Sequence, residues 1–203
     1  MKEYIMELIG TMFLVLSIAL TGNPLAIGMM LMAIVYIGGN ISGAHYNPAV
    51  TLAVWMRGKL ESKKIFGYMV SQLAGAFAGS LIYHSLSGKT LVISAGSGVA
   101  LWQSVLVEAL FTFVLCSVIL QVATSKKFEG NHIYGLAIGL TLAACAFAGG
   151  SISGGVYNPA VGLGAAIMNS FAGSQNWAKV IQYLIGPFAG GILSAWIFNY
   201  MEL

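Results

Sequence analysis

The chain has 203 residues, 58% of them hydrophobic and only 7% charged. A soluble domain carries about 25% charged residues, so this composition excludes an ordinary soluble surface. A scattered net charge of +3 likewise excludes a nucleic-acid footprint.

Six long apolar stretches can be drawn as candidate membrane spans, with boundaries good to a few residues. They cover 4–21, 25–39, 65–86, 101–124, 132–149 and 178–200. The first superficially resembles a signal peptide. It lacks a small-residue cleavage site and is expected to be a retained span. Thr21-Gly22-Asn23-Pro24 predicts a tight turn, so the first two spans form a hairpin. A Gly/Ser-rich stretch, 87–99, joins two halves, and the chain is read as one domain over 1–203 with repeats at about 1–86 and 100–203. Cys116 and Cys145 lie inside apolar runs and read as packing residues, with no disulfide framework implied.

One phrase occurs twice. Residues 40–50 read Asn-Ile-Ser-Gly-Ala-His-Tyr-Asn-Pro-Ala-Val, and 151–161 read Ser-Ile-Ser-Gly-Gly-Val-Tyr-Asn-Pro-Ala-Val, eight positions being identical at a constant offset of 111. A fixed-offset echo of this length marks duplicated architecture. Each copy opens an apolar stretch too short to span, 48–56 and 159–168. At 1.5 Å per residue the first covers roughly 13 Å, about half the core. Asn is a favoured N-cap and Pro a favoured first helical residue, so each phrase predicts the start of a half-helix.

Lys2, Arg57, Lys59, Lys63, Lys64, Lys126 and Lys127 fall on one side of the predicted spans, against Lys89 and Lys179 on the other. That bias puts both termini in the cytoplasm. Three spans per half then force the second copy to enter upside down, as an inverted repeat. The half-helices enter from opposite faces and meet near the midplane with their N-termini facing. Irregular backbone at that depth must be buried or line a wet cavity. Two positive helix ends and two Asn amides there would orient a neutral dipole and repel cations and protons.

Glu7 and Glu108 are the only carboxylates well inside spans, one opening each half. Intramembrane charges pair inward, and isolated carboxylates point to structural bracing rather than a proton relay. Gln72 and Tyr183, again 111 apart, head small-residue runs expected to serve close helix packing. His45 is read as a polar side chain ordering its loop in preference to a pH switch. His84 and His132 sit near membrane edges with no role assigned, and Trp102 and Trp177 read as interfacial anchors.

The paired Asn-Pro-Ala motifs, the first within Ser-Gly-Ala-His-Tyr-Asn-Pro-Ala-Val-Thr, resemble the aquaporin and glycerol-facilitator family, and the resemblance covers the whole chain. It implies an all-α membrane fold of six transmembrane helices plus two re-entrant half-helices. It also implies a homotetramer with one pore per subunit, passing water or small uncharged solutes without cofactor, metal or catalytic residues. Asn47, Pro48 and Ala49 with Asn158, Pro159 and Ala160 would be the pore motifs, the two asparagines donating to solute oxygen. The carbonyls of Gly43, Ala44, His45, Gly154, Gly155 and Val156 would form an acceptor ladder. Glu7 and Glu108 would accept hydrogen bonds from the re-entrant loops.

One departure stands out. Most members carry Arg directly after the second Asn-Pro-Ala, where this chain has Val161. Matching the remaining constriction positions by spacing gives Ile27, Gly155 and, on the fifth span, Ala146 by strict counting or Cys145 if that segment carries an extra residue. Cys145 would also be a candidate for mercurial block. Such a ring has no charge, should be wider, and costs less to enter for a less polar solute. It could also dewet and slow water. Expected solutes are glycerol-like polyols, urea, ammonia, dissolved gases and neutral metalloid hydroxides. A structural or junctional protein with a poorly conducting pore is the alternative. An ion-coupled transporter would need midplane ionisable groups beyond Glu7 and Glu108. An enzyme is excluded, since no metal-ligand cluster or activated nucleophile is present. A short chain with a very short first loop points to a prokaryotic inner membrane.

Overall fold

The computed structural model describes residues 1–173 and 177–202, and these are helical with no strand among them. The helices are α1 (Lys2–Thr21), α2 (Pro24–Ser42), α3 (Pro48–Met56), α4 (Ile65–Ser87), α5 (Leu101–Thr124), α6 (Tyr134–Ser153), α7 (Pro159–Phe171) and α8 (Gln182–Glu202). Six are long and apolar enough to cross a membrane. The other two, α3 and α7, are the expected half-helices.

Local chemistry sets their ends. Gly22, at φ 57°, closes α1 by donating its N–H to the Ile18 carbonyl at 3.0 Å, the left-handed cap that glycine adopts without penalty. Asn23 then caps α2, its Oδ1 accepting from Leu25 and Ala26 N–H at 2.9 and 3.2 Å, with Pro24 at the first helical position. The first two spans are therefore a tight hairpin.

Some boundaries differ from expectation. α2 and α6 run on to Ser42 and Ser153, because their Gly-containing ends stay helical until Gly43 and Gly154 turn left-handed at φ 85° and 99°. α7 reaches Phe171, so its 13 residues exceed the nine of α3. At 1.5 Å per residue the pair covers about 33 Å, close to the hydrocarbon thickness. The last span does not begin at 178: Trp177–Lys179 forms a 3₁₀ turn and α8 starts at Gln182.

The packing repeats itself between halves. α1 lies on α4 as α5 lies on α8, and the half-helix of each repeat packs on the last span of the other, α3 on α8 and α7 on α4. α2 crosses α6 at Gly28 and Gly139, where a Cβ on either residue would collide with the other's carbonyl oxygen. Glycines also bring α4 and α8 onto their partners' backbones. A Cβ at Gly79 would meet the Met12 carbonyl, and one at Gly190 the Ala109 carbonyl. Small residues are the usual means of such close approach in lipid, where no hydrophobic force joins helices. Ile5, Ile9 and Phe13 of α1, and Leu106, Leu110 and Val114 of α5, are exposed on the outside, the surface a bilayer would cover.

Candidate functional site

The site is built from two short non-helical segments, 43–47 and 154–158, that turn α2 and α6 back into α3 and α7. Both need left-handed backbone. Gly43, Ala44 and Tyr46 have φ of 85°, 53° and 51°, and their mates Gly154, Gly155 and Tyr157 have 99°, 67° and 50°. A non-glycine residue in this region costs on the order of 1–3 kcal/mol and persists only when its surroundings over-determine it.

The surroundings do so through the two buried carboxylates. Glu7 accepts from Ser42 Oγ at 2.6 Å, from the N–H groups of His45 and Tyr46 at 2.9 and 2.6 Å, and from Gln72 Nε2 at 2.7 Å. Glu108 accepts from Ser153 Oγ at 2.6 Å and from the N–H groups of Val156 and Tyr157 at 3.0 and 2.6 Å. Both are fully buried. A buried polar network whose members are paired in this way rigidifies its surroundings. Each carboxylate therefore clamps one re-entrant loop to α1 or α5.

Tyrosines complete the brace. Tyr46 and Tyr157 reach back to donate to the Ile34 and Cys145 carbonyls, both at 2.8 Å. Tyr68 and Tyr183 donate to the carbonyls of Ser42 and Ser153, again at 2.8 Å. The first loop has an extra layer. Gln72 Nε2 also donates to Thr51 Oγ1 at 2.8 Å, and His45 Nδ1 lies 3.2 Å from the same hydroxyl. Gln72 and Tyr183 thus belong to a polar network as well as to packing faces.

The two asparagines interlock across the centre. Asn47 Nδ2 donates to the Tyr157 carbonyl and Asn158 Nδ2 to the Tyr46 carbonyl, both at 2.8 Å. Their Oδ1 atoms accept from Ala49 and Ala160 N–H at 2.9 and 3.0 Å. The cap fixes each amide's orientation, and the cross-bond uses one of the two Nδ2 hydrogens. The half-helix N-termini therefore face one another, tied by their own motifs. Pro48, Ala49, Pro159 and Ala160 are buried in the first turns of α3 and α7.

A cavity of about 460 Å³ runs past this junction. It begins at Gly22 and Pro24 in the α1–α2 turn, passes beneath residues 91–94, reaches Asn47 and Asn158, and continues to Val50, Leu115 and Ile119. The 91–94 segment is held over the mouth by Asn169 Nδ2, which donates to the Leu91 carbonyl at 3.0 Å. Of the positions expected near the constriction, Ile27, Ala146, Gly155 and Val161 line the cavity, as do Ala44, His45, Gly154 and Val156. Cys145 and Gly43 do not line it. The Cys145 carbonyl takes the Tyr157 hydroxyl, and its thiol turns toward the Phe111 carbonyl at 3.8 Å, on α5. That rotation of α6 presents Ala146 to the cavity instead.

The sequence assigned no role to Tyr46 and Tyr157, whose carbonyls receive the asparagine amides. Their identity in both copies of the repeated phrase was the available signal.

Six spanning helices enclosing a cavity floored by two facing half-helices define a membrane channel of the inverted-repeat type. Comparison with known proteins narrows the class. The model of the major intrinsic protein family matches residues 1–198. A probable aquaporin AqpM of Archaeoglobus fulgidus is 35% identical over 191 residues, covering 89% of this chain and 77% of that one. A glycerol uptake facilitator protein-like 6 of Lactiplantibacillus plantarum is 36% identical over 220 residues, covering 99% and 98%. In fold, the X-ray structure of the aquaglyceroporin from Plasmodium falciparum superposes with a TM-score of 0.87 at 23% identity, over 99% of this chain and 96% of that one. The chain belongs to the major intrinsic protein family. It is an integral multi-pass membrane channel for water and small solutes, not an enzyme.

Proposed function

We propose that this channel passes small uncharged solutes larger than water, with glycerol-like polyols and urea foremost, through an outer filter formed by Ile27, Ala146, Gly155 and Val161. Ammonia, dissolved gases and neutral metalloid hydroxides are further candidates of the same chemistry. The observation that carries the reading is Val161. It lies on the cavity wall directly after the second Asn-Pro-Ala, leaving the four positions with no charge and no side-chain hydrogen-bond donor. An uncharged ring does not bind water tightly enough to favour it, and it lowers the desolvation cost of a carbon skeleton. Orientation of the solute then falls to the remaining Nδ2 hydrogens of Asn47 and Asn158, with the carbonyls of Ala44, His45, Gly154, Gly155 and Val156 as acceptors. Cation and proton exclusion rests on the two half-helix N-termini.

The whole chain, 1–203, acts in this reading as one channel domain of two inverted repeats, assembled as a homotetramer. Both termini are cytoplasmic, on the basic-residue bias of the loops, and the membrane is a prokaryotic inner membrane. The test is stopped-flow light scattering of proteoliposomes in water, glycerol, urea and ammonia gradients. Polyol or urea permeability well above empty vesicles is expected. A water signal alone rules out the apolar-filter reading, and no signal for any solute rules out conduction.

A further inference from the structure

We infer that Gly150 on α6 is a selectivity-determining position, whose missing side chain leaves the room by which a solute larger than water passes the outer filter; this rests on the polyol-channel reading above. Gly150 borders the cavity together with three other glycines, Gly22, Gly154 and Gly155. Each of those three has a structural reason to be glycine. Their φ angles are 57°, 99° and 67°, in the left-handed region that side chains resist. Two of them are also closely packed. A Cβ at Gly154 would lie 2.9 Å from the Tyr183 hydroxyl, and one at Gly155 would lie 3.0 Å from the Gly150 Cα. The second contact shows that a side chain at 155 would run onto the α6 backbone, not into the pore.

Gly150 has neither reason. It lies within α6, which continues to Ser153, and its φ is not left-handed. Among the described residues nothing lies within 4 Å of where its Cβ would sit. Glycine weakens a helix interior relative to alanine, so this residue burdens α6 while neither backbone nor packing requires it. Its mate at the offset of 111 is Gly39, where the Tyr134 ring stands 3.3 Å from the Cβ position, and Gly39 does not border the cavity. Only the copy on α6 is open. The space belongs to the cavity, because Gly150 is one turn from Ala146 and Phe147, and both border it. Residues three and four apart share a helix face. A helical side chain leans toward the N-terminus of its helix and covers the turn before it. A side chain at 150 would therefore lie over Ala146, a member of the proposed outer filter. Bulk there fills the cavity beside the filter, and the larger solute loses its room first.

Proteoliposomes of Gly150→Ala and Gly150→Leu test the assignment by stopped-flow flux of water and glycerol. The glycerol-to-water permeability ratio should fall from wild type to alanine to leucine. The alanine variant should melt in detergent no lower than the wild type, since it gains a better helix former and meets no neighbour. Gly155→Ala should instead lower the melting temperature. Gly150→Cys carries the test within one folded protein. Methyl methanethiosulfonate should lower its glycerol flux and dithiothreitol should restore it, with the wild type as the blank for the buried Cys116 and Cys145. An unchanged ratio in a Gly150→Leu protein that melts with the wild type overturns the assignment. So does a cysteine variant that fails to react, or that reacts without losing glycerol flux. A wild type that passes water but no glycerol overturns the polyol reading itself, and the assignment with it.

Discussion

At the residue scale the load falls on two carboxylates and two amides. Glu7 holds four donors and Glu108 three, all buried. Removing a carboxylate strands those donors, at roughly 1–3 kcal/mol for each one left unpaired. It also releases backbone held at positive φ. Glu7→Ala is therefore expected to lower the melting temperature in detergent more than Glu108→Ala, and Glu7→Gln less than either, since one acceptor oxygen remains. A Glu7→Ala protein that melts with the wild type would remove the clamp argument. Asn158→Ala loses both the α7 cap and the bond to the Tyr46 carbonyl, about 1–2 kcal/mol by the usual value of such caps. It should also lower polyol flux, because one of two central donors is gone. Melting and stopped-flow traces on the same preparation check both outcomes.

Between elements the decisive contact is the α2–α6 crossing. Gly28 and Gly139 bring two backbones together, and any Cβ at either position would meet a carbonyl that cannot move without its helix. Overpacking a close interface costs about 1–3 kcal/mol for an added methylene and more when backbone is struck. Gly139→Leu should therefore prevent folding, seen as loss of a monodisperse peak in size exclusion, while Gly173→Ala, with open space around its Cβ position, should lose only the modest cost of its φ of 70°. The half-helices were legible from their caps and Pro positions. Their ends were less so: the expected stretch stopped at 168, and α7 runs three residues further to Phe171, through Asn169, whose side chain donates to the Leu91 carbonyl 78 residues away.

For the whole molecule the question is what the pore admits. Val161→Arg would place a fixed cation at the outer ring. Glycerol permeability relative to water should fall, and an unchanged ratio would show that Val161 does not face the conduction path. In the proposed tetramer each subunit keeps its own cavity. Chemical cross-linking in the membrane should give bands up to four chains, with flux per chain unaffected by the cross-link.

The sequence by itself determined the number of spans, the two half-helices, their opposite entry and the buried carboxylates. All of these follow from local periodicity, capping chemistry and an offset of 111. Only the tertiary structure decided which residue of α6 faces the cavity. Cys145 and Ala146 are adjacent, and a helix rotates its face by about 100° per residue. That rotation is set by long-range contacts, the Gly28–Gly139 crossing and the Tyr157 hydroxyl on the Cys145 carbonyl. The same holds for Gln72. Its polar partners Glu7 and Thr51 lie 65 and 21 residues away in the chain, so no local pattern announces them. The interlock of Asn47 and Asn158 with the carbonyls of the opposite loop is likewise a product of folding, because it exists only when two inverted halves meet.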